Sequence, residues 1–511
     1  MTMTESVSIA ALLEAGDGAY PAISAPGAVA LTYDGLRSLV ADTVRSLRAR
    51  GIEPNDRVAY VLDNGPEAAT TFLSVAAGAT AAPLNPAYRA DEYEFYLSDL
   101  RAKLLIVAQG KDSPSIDVAA KLGVPVARLV AYPERGAGTF SLELDDEGSA
   151  SPSTSADFAN PDDVALVLHT SGTTSRPKIV PLTQRNVCAS ARNVRQTLAL
   201  TQGDRNLSIM PLFHIHGLIA SLLAPLSAGA EVCCSPGFNA LKFFGWMAEV
   251  KPTWYTAVPT MHQAILSRAS KNADVVAGSR LRFIRSSSSA LPPTVIAELE
   301  RVFRAPVVEA YGMTEAAHQM ASNPLPPRTR KPGTVGPNAG PEVRIVDDRW
   351  NTLPAGVAGE IVIRGENVSR GYENNPAANE TAFFDGWFRT GDQGTMDADG
   401  YVSITGRLKE IINRGGEKVS PREVDEILMD HPAVAQVVCV GMPHAKLGEE
   451  VAACVVLREG APATERELQD FVGLRAADYK VPKKILFMDE IPKGATGKLQ
   501  RIGLAAKLGL G

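Results

Sequence analysis

Hydrophobic residues in the first three hundred positions follow two alternating spacings. In residues 31–51 they recur with the 3.6-residue period of an amphipathic helix, and Gly51 stands where such a helix would end. A second helix is predicted for residues 66–78. Short apolar runs typical of buried strands lie around these helices, at residues 57–62, 103–108, 164–168 and 281–285. The alternation predicts an α/β fold with substantial parallel sheet.

The last hundred or so residues have a different pattern. Two S/T-x-x-E capping boxes, at residues 420–423 and 464–467, each open a run with helical periodicity, and the first has proline at its first helical position. Strands are predicted around these helices, at residues 434–441, 451–457 and 485–488. The pattern indicates a compact α+β unit. We therefore expect a large N-terminal domain, residues 1–406, and a small C-terminal domain, residues 407–511.

Length and composition narrow the class of protein. A chain of 511 residues is too long for one compact core, so two or more domains are expected. Its 45% hydrophobic and 21% charged residues exclude a disordered, collagen-like or fibrous chain. With 51 basic and 57 acidic residues the formal charge is −6, which argues against nucleic acid as the main partner.

The compartment is predicted from cysteines and apolar segments. Five cysteines form no C-x-x-C pair, which fits a reducing compartment and makes a zinc site unexpected. The first residues lack the basic and apolar regions of a secretory signal. Residues 206–230 are uncharged and long enough to span a bilayer, but prolines and histidines interrupt them, which favours a buried strand and helix. We expect a cytoplasmic protein without a transmembrane segment, and the oligomeric state is left open.

A segment rich in serine, threonine and glycine follows the predicted strand at residues 164–168. It runs from Thr170 to Lys178 and has the sequence TSGTTSRPK. Its hydroxyl and backbone N–H groups could surround a phosphate chain, and Lys178 adds a positive charge. It does not match the G-x-x-x-x-G-K-[ST] phosphate loop. Taken alone, the segment is better interpreted as a solvated linker.

Four further motifs change that interpretation. YGMTE begins at Tyr311, TGD at Thr390, GRLKE at Gly406 and GATGK at Gly494. Together with TSGTTSRPK they resemble the motifs of the acyl-adenylate-forming superfamily, which includes acyl-CoA synthetases, adenylation domains and luciferases. Five motifs in the family's order over about 330 residues make coincidence negligible. The resemblance implies a large α/β N-terminal domain with mixed and parallel sheets, followed by a small, mobile α+β C-terminal domain.

The resemblance also implies ATP, Mg²⁺ and coenzyme A as cofactors and substrates, and it assigns residues to them. The β- and γ-phosphates would contact Thr170, Ser171, Gly172, Thr173, Thr174 and Lys178. The rest of the nucleotide would contact Ser288, Ala290, Tyr311, Thr314, Asp392 and Arg407. Glu315 would ligate Mg²⁺, a cation that prefers oxygen ligands. Lys498 would bridge the substrate carboxylate and the α-phosphate as charge builds up in the transition state.

An acid–CoA ligase has two half-reactions, because an acyl-AMP must form before a thiol can attack it. The resemblance implies that the C-terminal domain rotates about Lys409 between the two steps. Gly415 and Gly416 would line the pantetheine tunnel after this rotation, or they would simply form a tight turn. His214 would lie at the acyl pocket and gate it, or it would be a core histidine.

One position departs from the family's pattern. Ile179 follows the Pro-Lys pair, where the family usually has glycine. If that position needs a positive φ, a β-branched residue would be strained there. The alternative is that the backbone at this position is extended in this protein.

The acyl pocket is expected among His214, the loop at residues 285–291 and the residues after Glu315. The loop is rich in serine, and His318 could face the pocket. Against an apolar substrate tail, buried polar groups of this kind would lose hydrogen bonds at about 1–3 kcal/mol each. The pocket composition therefore favours a small, charged acid.

Within the superfamily, residues 313–318, Arg285-Ser286 and residues 254–260 resemble those of the oxalate–CoA ligases of plants and fungi. The second carboxylate of oxalate would be matched by His214, His318 and Ser289. Arg285 is a fourth candidate, with a structural ion pair as its other interpretation. The alternatives left open are a medium-chain or aryl acyl-CoA ligase, an enzyme that loads a carrier protein, a luciferase-like oxygenase and a nucleotide-binding protein without catalysis.

Overall fold

A computed structural model of the chain describes residues 7–144, 157–170, 177–492, 501 and 503–510. Two large β-sheets form its N-terminal part. In chain order their strands are β1 (Pro21–Ser24), β2 (Leu31–Thr32), β3 (Arg57–Val61), β4 (Thr80–Pro83), β5 (Leu104–Ala108), β6 (Val126–Ala131), β7 (Phe140–Leu144), β8 (Val164–Thr170), β9 (Lys178–Thr183), β10 (Arg205–Ser208), β11 (Glu231–Cys234), β12 (Trp254–Ala257), β13 (Phe283–Ser287), β14 (Val307–Met313) and β15 (His318–Ser322).

Both sheets are mainly parallel, as the alternating pattern predicts. One has the strand order β7-β6-β5-β3-β4-β8-β9, and only its outer pairs β6/β7 and β8/β9 are antiparallel. The other has the order β15-β14-β13-β12-β10-β11-β1-β2, with antiparallel pairs β14/β15 and β1/β2 at its ends. The carboxyl ends of the parallel strands therefore meet at one edge of each sheet.

Helices cover these sheets. Their bounds are α1 (Ile9–Leu12), α2 (Tyr33–Arg48), α3 (Pro66–Gly78), α4 (Ala90–Leu100), α5 (Pro114–Leu122), α6 (Gln184–Thr197), α7 (Ala224–Leu226), α8 (Phe243–Val250), α9 (Pro259–Ala269), α10 (Ala273–Ala277), α11 (Pro293–Phe303), α12 (Pro376–Ala382), α13 (Pro421–Met429), α14 (Glu465–Gly473) and α15 (Leu504–Lys507). A buried π-helix spans His216–Leu223. One hydrophobic core joins both sheets, with Phe72 of α3 and Leu222 of the π-helix among its buried members.

Two smaller sheets follow. The first contains β16 (Glu342–Val346), β17 (Gly359–Arg364), β18 (Phe383–Phe384), β19 (Trp387–Met396) and β20 (Val402–Arg407). The second contains β21 (Ile412–Arg414), β22 (Glu417–Val419), β23 (Val434–His444), β24 (Gly448–Leu457) and β25 (Lys484–Phe487). A separate core around Val424 and Val451 joins the second sheet to α13 and α14. The C-terminal α+β unit predicted from the sequence therefore has a core of its own.

The uncharged segment at residues 206–230 is buried, as expected. It contains most of β10, the π-helix and α7, and residues 207–210 and 215–227 are all buried. Within the described part of the chain, no helix is both long enough and apolar enough to cross a membrane. Apolar character in this segment therefore reflects its place inside the N-terminal core.

The two predicted capping boxes have different outcomes. At Thr464 the box forms, because its hydroxyl accepts the Glu467 N–H while the Glu467 carboxylate accepts the Thr464 N–H. The prediction for Ser420 is wrong in its hydrogen bonds, although α13 begins at the predicted place. The Ser420 hydroxyl donates instead to the Thr405 carbonyl, and Glu423 pairs with Lys480. Tertiary partners displace the local cap at this helix.

Replacing Thr464 tests the cap that forms. Thr464→Ala removes the acceptor for the Glu467 N–H, which costs about 1 kcal/mol, or roughly a five-fold change in local opening. We expect hydrogen–deuterium exchange in the first turn of α14 to accelerate about five-fold, while exchange in α13 stays unchanged. Thr464→Ser keeps the hydroxyl and should restore protection. Equal exchange in the alanine variant and the wild type would contradict the assignment.

Candidate active site

Polar residues from distant parts of the chain meet at the carboxyl ends of β12, β13 and β14. The turn after β14, Thr314–Ala316, brings Glu315 to this edge, and β15 begins directly after it with His318. Gly312 allows the close approach of the two strands, because a Cβ there would lie 1.7 Å from the His318 carbonyl oxygen. Any larger residue would clash at this position, which explains why the YGMTE motif has glycine there.

Asp392 of β19 connects this edge to the sheet that contains β16 to β20. Its carboxylate accepts hydrogen bonds from the Tyr311 hydroxyl at 2.5 Å and from Arg407 Nε at 3.0 Å. Asp392 and Arg407 are opposite each other in the β19/β20 pair, so strand register fixes their contact. Burial raises the pKa of the Tyr311 hydroxyl well above its usual value. Three residues implied in nucleotide binding therefore form one cluster.

Glu315 is a buried carboxylate beside Tyr372. It is only 6% exposed, and its Oε1 atom accepts a hydrogen bond from the Tyr372 hydroxyl at 2.8 Å. Burial raises the pKa of Glu315, while the Tyr372 hydroxyl and the charges of Arg407 and Lys178 act in the opposite direction. An anionic oxygen that is costly to bury fits a hard cation such as Mg²⁺.

The phosphate-loop segment closes a hairpin between β8 and β9. Thr170 and Lys178 face each other as the last described pair of this hairpin. Ser171, Gly172, Thr173 and Thr174 lie outside the described residues. Lys178 Nζ lies 4.4 Å from the centre of the Tyr372 ring. Burial lowers the pKa of Lys178, and the charge of Lys409 adds to this effect.

The backbone at Ile179 is extended rather than in a conformation with positive φ. It lies in β9, where it pairs with His169 of β8 and is 3% exposed. It is absent from the described residues with positive φ, so the backbone strain considered for a β-branched residue does not arise. Its carbonyl accepts the Glu373 N–H at 3.0 Å. Its side chain fills the core beside β8, where glycine would leave a space.

Arg285 of β13 lies at the centre of a buried polar cluster. One terminal nitrogen is 3.0 Å from His318 Nε2 and 3.2 Å from Gln319 Oε1, and the other is 3.4 Å from both His216 Nε2 and Thr256 Oγ1. The side chain is fully buried, which lowers its pKa to about 9. Among the described residues no carboxylate lies within 4 Å of its guanidinium. The structural ion pair considered for Arg285 is therefore not formed there.

Two histidines stack inside this cluster. The rings of His216 and His318 are 4.9 Å apart and nearly parallel. His216 Nδ1 lies 3.1 Å from the Ser288 hydroxyl, and Ser288 has a φ of +75°. His216 was missed as a pocket residue at the sequence level, although it follows His214 by two positions in the same motif. The π-helix begins at His216, and this start places His216, rather than His214, against Arg285.

The other predicted pocket residues have more peripheral positions. His214 is half-buried, and its Nδ1 atom accepts the His216 N–H at 3.4 Å. Ser289 and Ala290 are exposed at the end of the serine-rich loop, and Thr314 is half-buried. Tyr372 is the second residue missed at the sequence level. Its contacts with Glu315 and Lys178 identify it, and no motif named above contains it.

The predicted hinge residue, Lys409, lies near enough to Lys178 for its charge to act on that lysine, and the two predicted tunnel glycines lie further along the chain. Lys409 belongs to the short turn Leu408–Glu410, directly after Arg407. Gly415 and Gly416 form the turn between β21 and β22, with φ values of +61° and +100°. Both values favour glycine, which supports the tight-turn interpretation without testing the tunnel role. Lys498 lies outside the described residues.

Family models and curated relatives match most of the chain. The AMP-binding enzyme model matches residues 14–373, and the AMP-binding enzyme C-terminal domain model matches residues 423–498. The chain is 44% identical to an oxalate–CoA ligase of Arabidopsis thaliana over 97% of this chain and 98% of that protein. It is 42% identical to an oxalate–CoA ligase of Saccharomyces cerevisiae over 87% and 86%.

A solved structure resembles the whole chain. ATP-bound MatB from Rhodopseudomonas palustris superposes with a TM-score of 0.86 at 30% identity, over 97% of each chain. The chain belongs to the AMP-binding enzyme family. Its activity class is that of the ATP-dependent, AMP-forming acid–CoA ligases.

Replacing Ile179 with the family's usual glycine tests the extended geometry. Because Ile179 is buried and unstrained, Ile179→Gly should lower the free energy of unfolding by about 2–5 kcal/mol, the range for removing a large core side chain. We expect no increase in the rate of ATP-dependent pyrophosphate release. Chemical denaturation and a pyrophosphate assay measure the two quantities. A faster, equally stable glycine variant would show that isoleucine strains the loop.

Proposed function

We propose that the acid activated by this ligase is oxalate. The observation that supports the proposal is the fully buried Arg285 guanidinium, which has a polar shell but no carboxylate partner among the described residues. A buried cation without a counter-ion is costly, and an anionic group from a substrate would offset that cost. The similarity to oxalate–CoA ligases of a plant and a yeast supports the same acid.

The charge and hydrogen-bonding groups of the cluster favour a short dicarboxylate. Arg285 would bind one carboxylate of oxalate, while the other carboxylate of oxalate would face the nucleotide. His318 Nε2 accepts from Arg285, since a guanidinium has no acceptor, and this contact fixes the His318 ring beside the guanidinium. An apolar chain would leave Arg285, His216 and His318 without substrate hydrogen bonds. His214 and Ser289 would line the more exposed part of the pocket.

The first half-reaction joins oxalate to AMP. A carboxylate oxygen attacks the α-phosphorus of ATP, and pyrophosphate leaves with the electron pair of the broken P–O bond. No general base is needed, because the carboxylate is already ionised at pH 7. Asp392 and Arg407 would hold the ribose, and Tyr311 would stack on the adenine. Mg²⁺ held by Glu315 would neutralise charge on the phosphates.

The second half-reaction forms the thioester. The CoA thiol attacks the acyl carbon and loses its proton, and AMP leaves. We propose that residues 407–511 rotate about Lys409 between the two steps, withdrawing Lys498 and bringing Gly415 and Gly416 to the pantetheine path. Five free, buried cysteines support a reducing compartment such as the cytoplasm as the place of this reaction.

The identity of the acid is tested by kinetics over oxalate, malonate, octanoate and coumarate. We expect the highest kcat/KM with oxalate. In Arg285→Met, the KM for oxalate should rise at least about 30-fold, equivalent to about 2 kcal/mol for a lost buried charge pair. The KM for ATP should change little. A ten-fold or greater preference of the wild type for octanoate would contradict oxalate and favour a medium-chain ligase.

A matched variant separates binding from structure in this experiment. Arg282 is paired with buried Asp204 at 2.5 Å, three positions before Arg285. Arg282→Met should therefore lower the Tm and leave the oxalate KM unchanged. Arg285→Met removes an uncompensated buried charge, so its Tm should be retained or rise. A lower Tm in both variants with no change in oxalate KM would assign Arg285 a structural role.

The division of labour between the half-reactions is tested with Lys498→Ala. This variant should lose adenylation, measured as oxalate-dependent pyrophosphate–ATP exchange, by at least 100-fold, because the developing negative charge loses its partner. It should still convert supplied oxalyl-AMP and CoA to the thioester at a rate near that of the wild type. Equal losses in both half-reactions would contradict the proposed rotation.

A further inference from the structure

We propose that Tyr372 is a positioning residue that holds two opposite charges of the nucleotide site apart and in place, namely the Glu315 carboxylate and the Lys178 ammonium. The inference rests on the proposed function, in which Glu315 holds Mg²⁺ and Lys178 binds the phosphates of ATP. It concerns a side chain in a segment that contains none of the motifs described above.

The hydroxyl of Tyr372 fixes one charge. It donates to Glu315 Oε1 at 2.8 Å, which orients the carboxylate. Glu315 is nearly fully buried, so few water molecules could replace this hydrogen bond. Hydrogen bonds that orient a metal-binding carboxylate usually matter for metal affinity.

The ring of Tyr372 fixes the other charge. Lys178 Nζ lies 4.4 Å from the ring centre, within the range of a cation–π contact. No ion pair under 4 Å joins Lys178 to Glu315 in the described part of the chain. The aromatic ring thus keeps the lysine near the carboxylate without letting the two groups neutralise each other. Both charges stay available, one for phosphate and one for a cation.

The backbone holds Tyr372 independently of these two contacts. The Tyr372 N–H donates to Asn379 Oδ1 at 2.7 Å, and Asn379 Nδ2 donates back to the Tyr372 carbonyl at 2.8 Å. The adjoining Glu373 N–H donates to the Ile179 carbonyl, next to Lys178 in β9. The Ser369 N–H donates to the Glu315 carbonyl at 2.7 Å.

The segment Ser369 to Glu373 therefore connects the strand that contains Lys178 with the turn that contains Glu315. Because the side chain of Tyr372 is placed by these backbone contacts, it can impose positions on the two charged groups. A tyrosine supplies both functions at once, since its hydroxyl serves the carboxylate and its ring serves the ammonium.

Two variants separate the two functions. Tyr372→Phe removes the hydroxyl and keeps the ring, so the Mg²⁺ concentration for half-maximal ATP binding should rise about ten-fold. Tyr372→Leu also removes the ring, and ATP binding should weaken about a further five-fold at saturating Mg²⁺, because Lys178 can then approach Glu315. Isothermal titration of ATP over a Mg²⁺ series measures both effects, and the KM for oxalate should stay within two-fold.

A distant tyrosine provides the matched control. The Tyr33 hydroxyl is buried and donates to the Ala230 carbonyl at 2.8 Å, in the N-terminal core. Tyr33→Phe loses a comparable hydrogen bond and should leave the Mg²⁺ series unchanged. If Tyr372→Leu fails to fold, Tyr372→Phe still tests the hydroxyl. A Tyr372→Phe variant with wild-type Mg²⁺ dependence would overturn the proposal, even if its kcat fell.

Glu315→Gln distinguishes failure of this inference from failure of the proposed function. Glu315→Gln should raise the Mg²⁺ requirement, and adding Tyr372→Phe to it should raise the requirement no further, because the hydroxyl acts through Glu315. No effect of Glu315→Gln would contradict the Mg²⁺ role itself. A large effect of Glu315→Gln together with none of Tyr372→Phe would contradict the tyrosine's role alone.

Discussion

The fully buried guanidinium of Arg285 is the group around which the polar cluster at this edge of the sheet is arranged. Parallel strands bring it to the carboxyl edge of the sheet, where Thr256 and the start of β15 surround it with polar atoms. Uncharged acceptors alone compensate a buried cation incompletely. The proposed oxalate dianion would supply the missing negative charge, beside the stacked rings of His216 and His318.

At the proposed nucleotide site, two opposite charges lie near each other without forming an ion pair among the described residues. Glu315 and Lys178 have opposite charges and lie in the same partly buried region, where direct pairing would leave neither for ATP and Mg²⁺. Tyr372 lies between them and contacts both. Asp392 and Arg407 are paired instead, through strand register, just before the turn that contains Lys409. The two residues proposed to bind the ribose are therefore joined directly before the proposed pivot.

Local sequence patterns predicted where helices and strands lie better than they predicted the side-chain hydrogen bonds at the ends of the helices. The periodicity of residues 66–78 gave helix α3 with its observed bounds, and the box at Thr464 formed as its spacing indicates. Ser420 has the same spacing, yet its hydroxyl reaches the Thr405 carbonyl, a partner that only tertiary packing supplies. Ile179 shows the same limit, because a family pattern suggested strain where the β8/β9 pairing gives extended backbone.

The sequence by itself determined the α/β class, the order of elements and the family, because periodicity and ordered motifs are local properties of the chain. It also assigned Arg285 and His318 to one predicted pocket, and the structure brings them within 3.0 Å of each other. Only the tertiary structure selected His216 over His214 as the neighbour of Arg285, and only it placed Tyr372 between Glu315 and Lys178. These contacts join residues 57 to 194 positions apart, and their distances depend on strand register and packing rather than on spacing along the chain.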